Sequence, residues 1–318
     1  MNTGNRVRFL KAIRVKPENL VWVILFLLIL VAAVSSPTFT KTRNLYNVFL
    51  VQPIGLGTAS LAQAIVVIAG GIDMSIGAAV SLLTSLTAGL FKYHNLSWPL
   101  VSVIILLLGA VLGMVNGFVV TVMRVPPFMA TLATMSIYQG LALFYMKKTI
   151  GGIPREFRIL FKEKIFGIPM GFIYFIALMA LCFFLLRKLR LGRHIYAVGS
   201  SSNIAHLSGI SVKKVQFFSY LIGGVLVGLT SLFLSGRMGG GGPKLGVGYE
   251  LDSITAIVIG GVSLSGGRGG IMGAFGGVMI ISIFSNLMNM LNISQFIQMV
   301  LKGSILILAV AFYSKRKL

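Results

Sequence analysis

Ten long apolar runs alternate with shorter polar connections along this chain, and they limit its possible folds more than any other feature. The runs cover 20–34, two spans within 45–89, then 100–123, 128–146, 171–186, 215–234, 251–262, 269–291 and 294–312. A helix of about 20 apolar residues crosses the ~30 Å hydrocarbon layer of a bilayer. Helices also satisfy their backbone hydrogen bonds internally, as lipid requires. The sequence therefore predicts an all-α, polytopic membrane protein with about ten transmembrane helices, forming a single domain over 1–318.

Composition agrees with this class and leaves little room for a soluble domain. Hydrophobic residues make up 56% of the chain and charged residues only 11%, against about 25% charged in soluble domains. The net charge of +22 is spread over the connections between apolar runs rather than along one helix face. Basic connections are typical of the cytoplasmic side of membrane proteins. We therefore expect a lipid membrane, and no nucleic acid, as a partner.

The basic residues also predict how the chain crosses the membrane. Ten spans place both termini on one side, and the connections on that side carry most of the lysines and arginines. We therefore expect a multi-pass protein of the bacterial cytoplasmic (inner) membrane with both termini cytoplasmic. The run 20–34 follows a basic segment, as in a signal peptide, but the many later spans favour an uncleaved first helix.

One connection departs from this charge pattern. Segment 147–167 is predicted to lie outside, yet it carries six basic residues, Lys147, Lys148, Arg155, Arg158, Lys162 and Lys164. Only Glu156 and Glu163 oppose them. Either the span count is wrong by one, or this surface receives an acidic partner.

The stretch 64–77, AIVVIAGGIDMSIG, places a carboxylate and several glycines in apolar surroundings. An Asp near the bilayer centre costs about 2.5–3.5 kcal/mol, and the chain has only six acidic residues. The glycines allow the helix to break at Gly70–Gly77, and Asp73 is expected to cap the helix that restarts at Met74. Broken helices at membrane depth occur where they are buried in protein or line a cavity, so the stretch predicts a transport pathway.

A weak internal repeat supports this interpretation. Residues 256–266 read AIVIGGVSLSG, which predicts a second broken helix at Gly260–Gly267. Each copy is followed by a helix with glycines every four residues, Gly109, Gly113 and Gly117 in one and Gly269, Gly273 and Gly277 in the other. The repeats extend over about 20–146 and about 171–312, although their internal spacing differs. Interrupted segments in two halves of a transporter indicate a substrate site between the halves.

The chemistry of an enzyme is not predicted. His94, His194 and His206 lack metal-ligand spacing, and no catalytic set of residues is apparent, so we expect neither a catalytic nor a metal site. No Gly-Lys dipeptide occurs, which excludes a phosphate-binding loop of the GxxxxGK[ST] type. We expect no cofactor on this chain; if transport is driven by ATP, ATP and Mg²⁺ bind a separate subunit.

The connection 187–214 is the most informative one. It reads RKLRLGRHIYAVGSSSNIAHLSGISVKK, and Ser200–Ser202 are expected to cap a short helix over 203–208. A solvated loop is one interpretation. Apolar residues among its charges favour the other, a short helix that docks into the groove of a cytoplasmic partner.

Five segments together resemble a known family, the permease subunits of ABC importers for monosaccharides of the ribose/xylose/autoinducer-2 group. They are GGIDMSIG (70–77), RVPPFMATLAT (124–134), GRHIYAVGSSSNIAHLSGI (192–210), GVGYELDSITAIVIGGVSLSGG (246–267) and SQFIQMVLKGSILIL (294–308). The resemblance runs from about 38 to 310. Ser200–Asn203 and Gln139 depart from the family pattern.

The resemblance implies an alternating-access permease that works with three kinds of protein. These are a second permease copy (identical or paralogous), a cytoplasmic ABC ATPase that hydrolyses the ATP, and an external or periplasmic sugar-binding protein. Coupling to the ATPase is then expected through 187–214, with the contact residues Arg193, Tyr196, Asn203, Ala205, Leu207, Ser208, Gly209 and Ile210.

Polar residues within the apolar runs are candidates for a substrate pathway. They are Gln52, Gln63, Asp73, Ser75, Asn116, Asn286, Asn289, Gln298 and Lys302. Hydrogen bonding between helices is the alternative for each, but neutral amides also suit an uncharged, hydroxyl-rich solute. Lys302 requires a carboxylate or carbonyl partner at its depth, and Asp73 is one candidate.

Two acids open the run at 251–262. Glu250 and Asp252 are expected either to cap this helix or to form a gate or binding-protein contact with Arg237 or Lys244.

Other functions stay open from the residues alone. The same architecture could carry a nucleoside, an autoinducer or a branched-chain amino acid. An ion-coupled secondary transporter would need neither ATP nor 187–214, and a membrane enzyme is disfavoured by the missing catalytic set.

Overall fold

The computed structural model describes residues 17–315, and it describes the side chains of 20–311. The first half of this range contains α1 (Pro17–Ser35), α2 (Thr42–Tyr46), a π-helical turn (Asn47–Val51), α3 (Gln52–Ile68), α4 (Ile76–His94), α5 (Trp98–Thr121) and α6 (Pro127–Tyr145). A polar segment follows, with β1 (Ile150–Gly151), α7 (Arg155–Lys162), β2 (Lys164–Ile165) and β3 (Ile168–Pro169). The second half contains α8 (Met170–Lys188), α9 (Arg190–Ser200), α10 (Ser202–Leu207), α11 (Val212–Met238), β4 (Gly240–Gly241), α12 (Tyr249–Ile259), α13 (Ile271–Met290) and α14 (Gln295–Lys315).

All ten apolar runs are helical, but not all are long enough to span. Among the described residues, seven helices have the length and hydropathy to cross a membrane: Thr42–Ile68, Ile76–His94, Trp98–Thr121, Pro127–Tyr145, Met170–Lys188, Val212–Met238 and Ile271–Met290. Two shorter apolar helices cover Leu20–Ser35 and Gln295–Ala311. The helix α12 has 11 residues, or about 16 Å, which is too short to cross. The fold class is therefore confirmed as helical and multi-pass, whereas the count of about ten spans is not.

The connections gather at two ends of the bundle. We call one end the coupling face, because it contains 189–211 together with 70–75, 122–126 and 260–270. The opposite face contains 95–97, 146–169, 239–248 and 291–294. On the opposite face, β1 pairs antiparallel with β4. On the coupling face, the Gly267 N–H donates to the Ile68 carbonyl at 2.9 Å. Segment 147–167 thus lies at the other end from 187–214, as the sequence predicts.

The helix α3 lies at the centre of the bundle and is buried along almost its whole length. Around it, α5 packs antiparallel to α11 through glycines, so that a Cβ at Gly113 would lie 3.0 Å from the Gly224 Cα. On the other side, Gly273 and Gly277 of α13 contact the backbone of α12 at Gly260 and Ala256. Close approach of helices through small residues replaces the hydrophobic effect as a source of stability in lipid.

The repeat is visible in the way α3 and α12 end. Gly71 N–H bonds to the Val66 carbonyl and Gly70 N–H to Val67, and Val262 and Gly261 make the equivalent bonds to Ile257 and Val258. Gly70 and Gly261 have φ of +85° and +84°, the left-handed conformation of a Schellman motif, which favours glycine.

One expectation about the stretch 64–77 is corrected. The helix is interrupted there as expected, because α3 ends at Ile68 and α4 begins at Ile76. Gly77, at the start of α4, packs closely against Gly246 and Glu250. The second helix begins at Ile76, with Ser75 as its N-cap residue, and not at Met74.

Candidate functional site

A polar cavity lies between α3, α12, α13 and α14. It is a cavity of about 610 Å³, a size typical of small-molecule sites. Of the sequence-predicted pathway residues, five line it: Gln52, Asn286, Asn289, Gln298 and Lys302. Arg237, Glu250 and Asp252 line it as well. Gln63, Asp73, Ser75 and Asn116 are not among its lining residues, and neither is Lys244.

The cavity reaches the middle of the bundle. Gly277 packs against Ala256 and Gly273 against Gly260, so α12 and α13 run antiparallel in a fixed register. Extending this register places Asp252 level with Ile281, halfway along the 20 residues of α13. Asp252 is therefore a carboxylate at half the length of the helical bundle.

Lys302 has the partner that its depth requires. Its Nζ lies 2.7 Å from Asp252 Oδ2, and the two side chains are 18% and 23% exposed. The hypothesis that Lys302 pairs with Asp73 is wrong. Asp252 lies in the first turn of α12, where a carboxylate interacts favourably with the helix dipole, and its gate contact with Arg237 or Lys244 stays a prediction. Among the described residues the Lys302–Asp252 pair is the one ion pair. It joins α14 to α12 through two residues that lie 50 positions apart in the sequence.

Glu250 behaves differently from Asp252. Its Oε1 accepts the Gly248 N–H at 3.2 Å, so the carboxylate stabilises the turn that leads into α12. Gly248 is the N-cap residue of this helix, and it has a positive φ of 94°. Arg237 lines the cavity beside these acids without an ion pair in the described part of the chain, and Lys244 is exposed outside it.

Most amides in the cavity wall bond to other helices or turns. Asn286 and Asn44 exchange two hydrogen bonds, at 3.2 and 3.0 Å. Gln298 Nε2 donates to Asn289 Oδ1 and to the Ile293 carbonyl, both at 2.9 Å. These bonds hold the wall in shape, and they leave the remaining donor and acceptor positions available to a polar solute.

Sequence reasoning missed part of this wall. Ser282 and Ser285 line the cavity together with Asn286 and Asn289. These four residues follow the i, i+3, i+4, i+7 spacing of one helix face. A search for polar residues at helical spacing, rather than for amides alone, would have found the two serines.

A second polar cluster surrounds Asp73, which is 5% exposed. Asp73 Oδ1 accepts the Ser75 N–H at 2.8 Å and the Ser75 hydroxyl at 2.6 Å. Asn116 Nδ2 donates to Ser75 Oγ at 2.8 Å and lies 3.4 Å from both carboxylate oxygens. Thr134 Oγ1 in turn donates to Asn116 Oδ1 at 2.7 Å. The fold therefore brings together three of the sequence-predicted pathway residues, Asp73, Ser75 and Asn116. The sequence did not predict that they would be neighbours.

This Asp73 cluster joins the 70–75 turn to three helices. Thr131 of α6 accepts from the Met74 N–H at 3.1 Å and donates to the Ile72 carbonyl at 3.0 Å. Tyr220 of α11 also donates to the Ile72 carbonyl, at 3.2 Å. Asn116 lies five residues before the end of α5, or about 7 Å from it. The cluster thus fixes the coupling-face ends of the helices.

The connection 187–214 forms α9 and α10. Ser201 Oγ accepts the Ile204 N–H at 3.3 Å, which confirms the predicted serine cap. Ile204 and Leu207 are 66% and 86% exposed, whereas Ala205 is buried. Tyr196 is tied to the bundle through its hydroxyl, which donates to the Gly269 carbonyl at 2.8 Å. The helix α10 therefore presents two apolar side chains away from the bundle.

Four glycines connect this segment to both repeats. Gly199 at the end of α9 touches Gly70 after α3 and Gly266 before α13, and Gly267 contacts Ser200. We call these residues, Gly70, Gly199, Gly266 and Gly267, the glycine junction. A Cβ at Gly199 would lie 2.6 Å from the Gly267 nitrogen, so the three backbones approach too closely for any side chain there.

Comparison with known proteins agrees with this architecture. A family described as branched-chain amino acid transport system / permease component matches residues 45–310. The chain is 36% identical to the ribose import permease protein of Bacillus subtilis (strain 168), over 92% of this chain and 91% of that protein. It is 33% identical to the ribose import permease protein of Escherichia coli (strain K12), over 92% of both chains, and 31% identical to the D-allose transport system permease protein of the same strain, over 90% and 89%. This chain belongs to the ABC importer permeases. No solved structure matches it.

As a permease, the chain is a transport subunit and not an enzyme. No group of three His, Cys, Asp or Glu side chains that could hold a metal ion occurs among the described residues of the permease.

The opposite face of the permease is strongly basic around α7. Phe157 and Phe161 anchor this helix on the bundle, where both lie against Gly236. Its other side carries Arg155, Arg158 and Lys162. Burial, followed by the nearby charges of Arg158 and Arg237, lowers the pKa of Lys162 below its ordinary value. Crowded cations of this kind favour contact with an acidic surface.

Proposed function

We propose that this permease carries a monosaccharide, such as a ribose-like pentose, across the cytoplasmic membrane by alternating access driven by a partner ATPase. Its relatives include permeases for ribose and for D-allose, which supports a sugar as cargo. The observation that carries the proposal is the cavity of about 610 Å³. Its wall combines amides and hydroxyls with two acidic and two basic side chains.

This chemistry suits an uncharged polyol. Hydroxyl groups both donate and accept hydrogen bonds, and so do the amides and serines of the wall. Asp252 and Lys302 neutralise each other at 2.7 Å, so neither offers a free charge to the solute. A zwitterionic amino acid would need an unpaired cation and an unpaired anion. Arg237 and Glu250 line the same cavity without an ion pair among the described residues, so the choice of a sugar rests on the relatives named above.

The orientation follows from the segment 189–211, which the family resemblance couples to a cytoplasmic ATPase. The basic residues do not decide it, because the connections of both faces are basic: Arg124, Arg190, Arg193 and Arg268 on the coupling face, and the six of 147–167 with Lys244 on the opposite face. We place the coupling face in the cytoplasm, with both termini on the same side and the ATPase on α10. The opposite face then meets the external sugar-binding protein.

A second permease copy completes the proposed complex. Asp252 and Lys302 lie at half-depth and remain partly exposed, and charged groups facing lipid are costly. An identical or paralogous permease packed beside α12 and α14 would separate them from lipid.

The test is transport by the assembled complex. We expect proteoliposomes containing the permease, its ATPase and its binding protein to accumulate radiolabelled ribose only when ATP is present on the ATPase side. Uptake of leucine or uridine in preference to ribose would show that the cargo is an amino acid or a nucleoside and not a sugar. Uptake driven by a proton or sodium gradient without ATP would contradict the proposed mechanism.

Charge reversal on the opposite face should slow docking of the binding protein. In a variant with Lys147, Lys148 and Arg155 changed to Glu, we expect the association rate to fall about tenfold or more at low ionic strength, because charge complementarity mainly raises association rates. Surface plasmon resonance in low and high salt measures this, since screening should reduce the difference. Reversal of Lys213 and Lys214, exposed on the coupling face, is the matched control. If neither the mutations nor the salt concentration changes the association rate, the placement of 147–167 on the external side is wrong.

A further inference from the structure

Gln63 is buried in the middle of the molecule without a hydrogen-bonding partner. Its side chain is 0% exposed. Neither Nε2 nor Oε1 has a partner in the described part of the chain. Asn116, Asn286 and Gln298 are also buried, and each of them forms hydrogen bonds. A role in joining helices explains those three amides but not Gln63.

We infer that Gln63 contacts the transported solute, on a route that continues from the cavity along one face of α3 towards the coupling face. The inference rests on the proposed function, because it adds a specificity-determining residue to the same pathway. An amide offers two donors and one acceptor oxygen, and all of these are unused in the present conformation.

The helical geometry of α3 places Gln63 below the cavity. Successive residues turn by about 100°, so Gln52, Leu56 and Gln63 fall within about 40° of one another. Gln52 and Leu56 line the cavity. Gln63 follows Gln52 by 11 residues, or about 16 Å along the helix axis. Ser60, whose buried hydroxyl also has no described partner, lies near the same face.

The helices α12 and α13 border this face of α3. Leu56 packs with Ala256 of α12 and with Val278 and Ile281 of α13. Further towards the coupling face, α12 and α13 meet through Gly260 and Gly273. Separation of these two helices from α3 would therefore expose Gln63. The glycine junction lies directly beyond and connects these helices to α9.

The buried amide also gives a substitution that separates transport from stability. Gln63→Leu replaces an unsatisfied polar group by an apolar one of similar size, which is neutral or stabilising for the fold. Thr58→Val is the matched control on the same helix. Thr58 is buried, its hydroxyl is satisfied by the Ile54 carbonyl at 2.8 Å, and it lies about 140° around the helix from Gln63.

In the assembled complex, we expect Gln63→Leu to keep the yield and the unfolding midpoint of the permease but to reduce ATP-driven ribose uptake at least tenfold. Thr58→Val should leave uptake within twofold of the unmodified complex. Unchanged uptake by Gln63→Leu would overturn the inference. A loss of uptake together with a lower unfolding midpoint would also overturn it, by assigning Gln63 a structural role.

A second measurement does not depend on the identity of the solute. In a Cys182→Ser background, Gln63→Cys should react with a small hydrophilic methanethiosulfonate reagent during ATP turnover but not at rest, and Thr58→Cys should react in neither state. Equal labelling of Gln63→Cys in both states would overturn the inference. If the unmodified complex does not take up ribose, the proposed sugar cargo is wrong. The labelling experiment would still decide whether Gln63 lies on the transport route.

Discussion

Replacing Asp73 by Ala is expected to destabilise the permease and to abolish transport. The substitution removes the acceptor of two hydrogen bonds from Ser75, at 2.8 and 2.6 Å, and leaves the Asn116 amide facing an apolar methyl group. Each buried donor without a partner costs about 1–3 kcal/mol. The turn 70–75 would then be joined to α5 only by the Asn116–Ser75 bond. Thermal unfolding of the detergent-purified permease and ribose uptake by the complex measure the two effects.

A swap of two side chains distinguishes hydrogen bonding from charge at this position. Asp73→Asn keeps one oxygen for Ser75 but turns an NH₂ group towards the Asn116 NH₂ group, so we expect an intermediate loss. Adding Asn116→Asp restores one carboxylate and one amide and should recover stability and transport in part, as a double-mutant cycle can measure. Wild-type uptake by Asp73→Ala would contradict the role given to the Asp73 cluster.

Changing Ile204 and Leu207 together to Asp is expected to release the ATPase while the permease stays folded. Both side chains point away from the bundle, at 66% and 86% exposure, so the substitution removes no contact within the permease. Apolar anchors of a docked helix carry much of its binding energy. Co-purification of the tagged ATPase should fall at least tenfold, with an unchanged unfolding midpoint of the permease alone.

The matched control is Phe166→Asp, which changes a fully exposed aromatic residue of the opposite face and should leave ATPase binding intact. Substitution of Gly209 is a poorer test, because its φ of +79° would strain any other residue. If the complex with Asp at both 204 and 207 stays intact through purification and hydrolyses ATP normally, coupling through α10 is wrong.

Motifs within one segment were predictable because their geometry is local. The serine cap of α10 follows from three adjacent serines, and the equivalent helix ends at Gly70 and Gly261 follow from glycine at the position that needs a positive φ. The apolar runs became helices for the same reason. Hydrophobicity and backbone hydrogen bonding in lipid depend on each run by itself.

Depth in the membrane and the choice of partner could not be predicted in this way. Asp252 lies in the middle of the bundle because glycine contacts set the register of α12 on α13. Lys302 pairs with Asp252 since α14 packs beside α12.

The sequence by itself determined a helical membrane protein, the serine-capped helix within 187–214, the similar helix ends at Gly70 and Gly261 and the polar residues within the apolar runs. Only the tertiary structure decided that these residues form two sites, a cavity around Asp252 and a cluster around Asp73, with the buried amide of Gln63 between them. Distances between side chains on different helices depend on how the helices pack. In this chain glycine contacts set that packing, and their register across α12 and α13 is a property of two helices together.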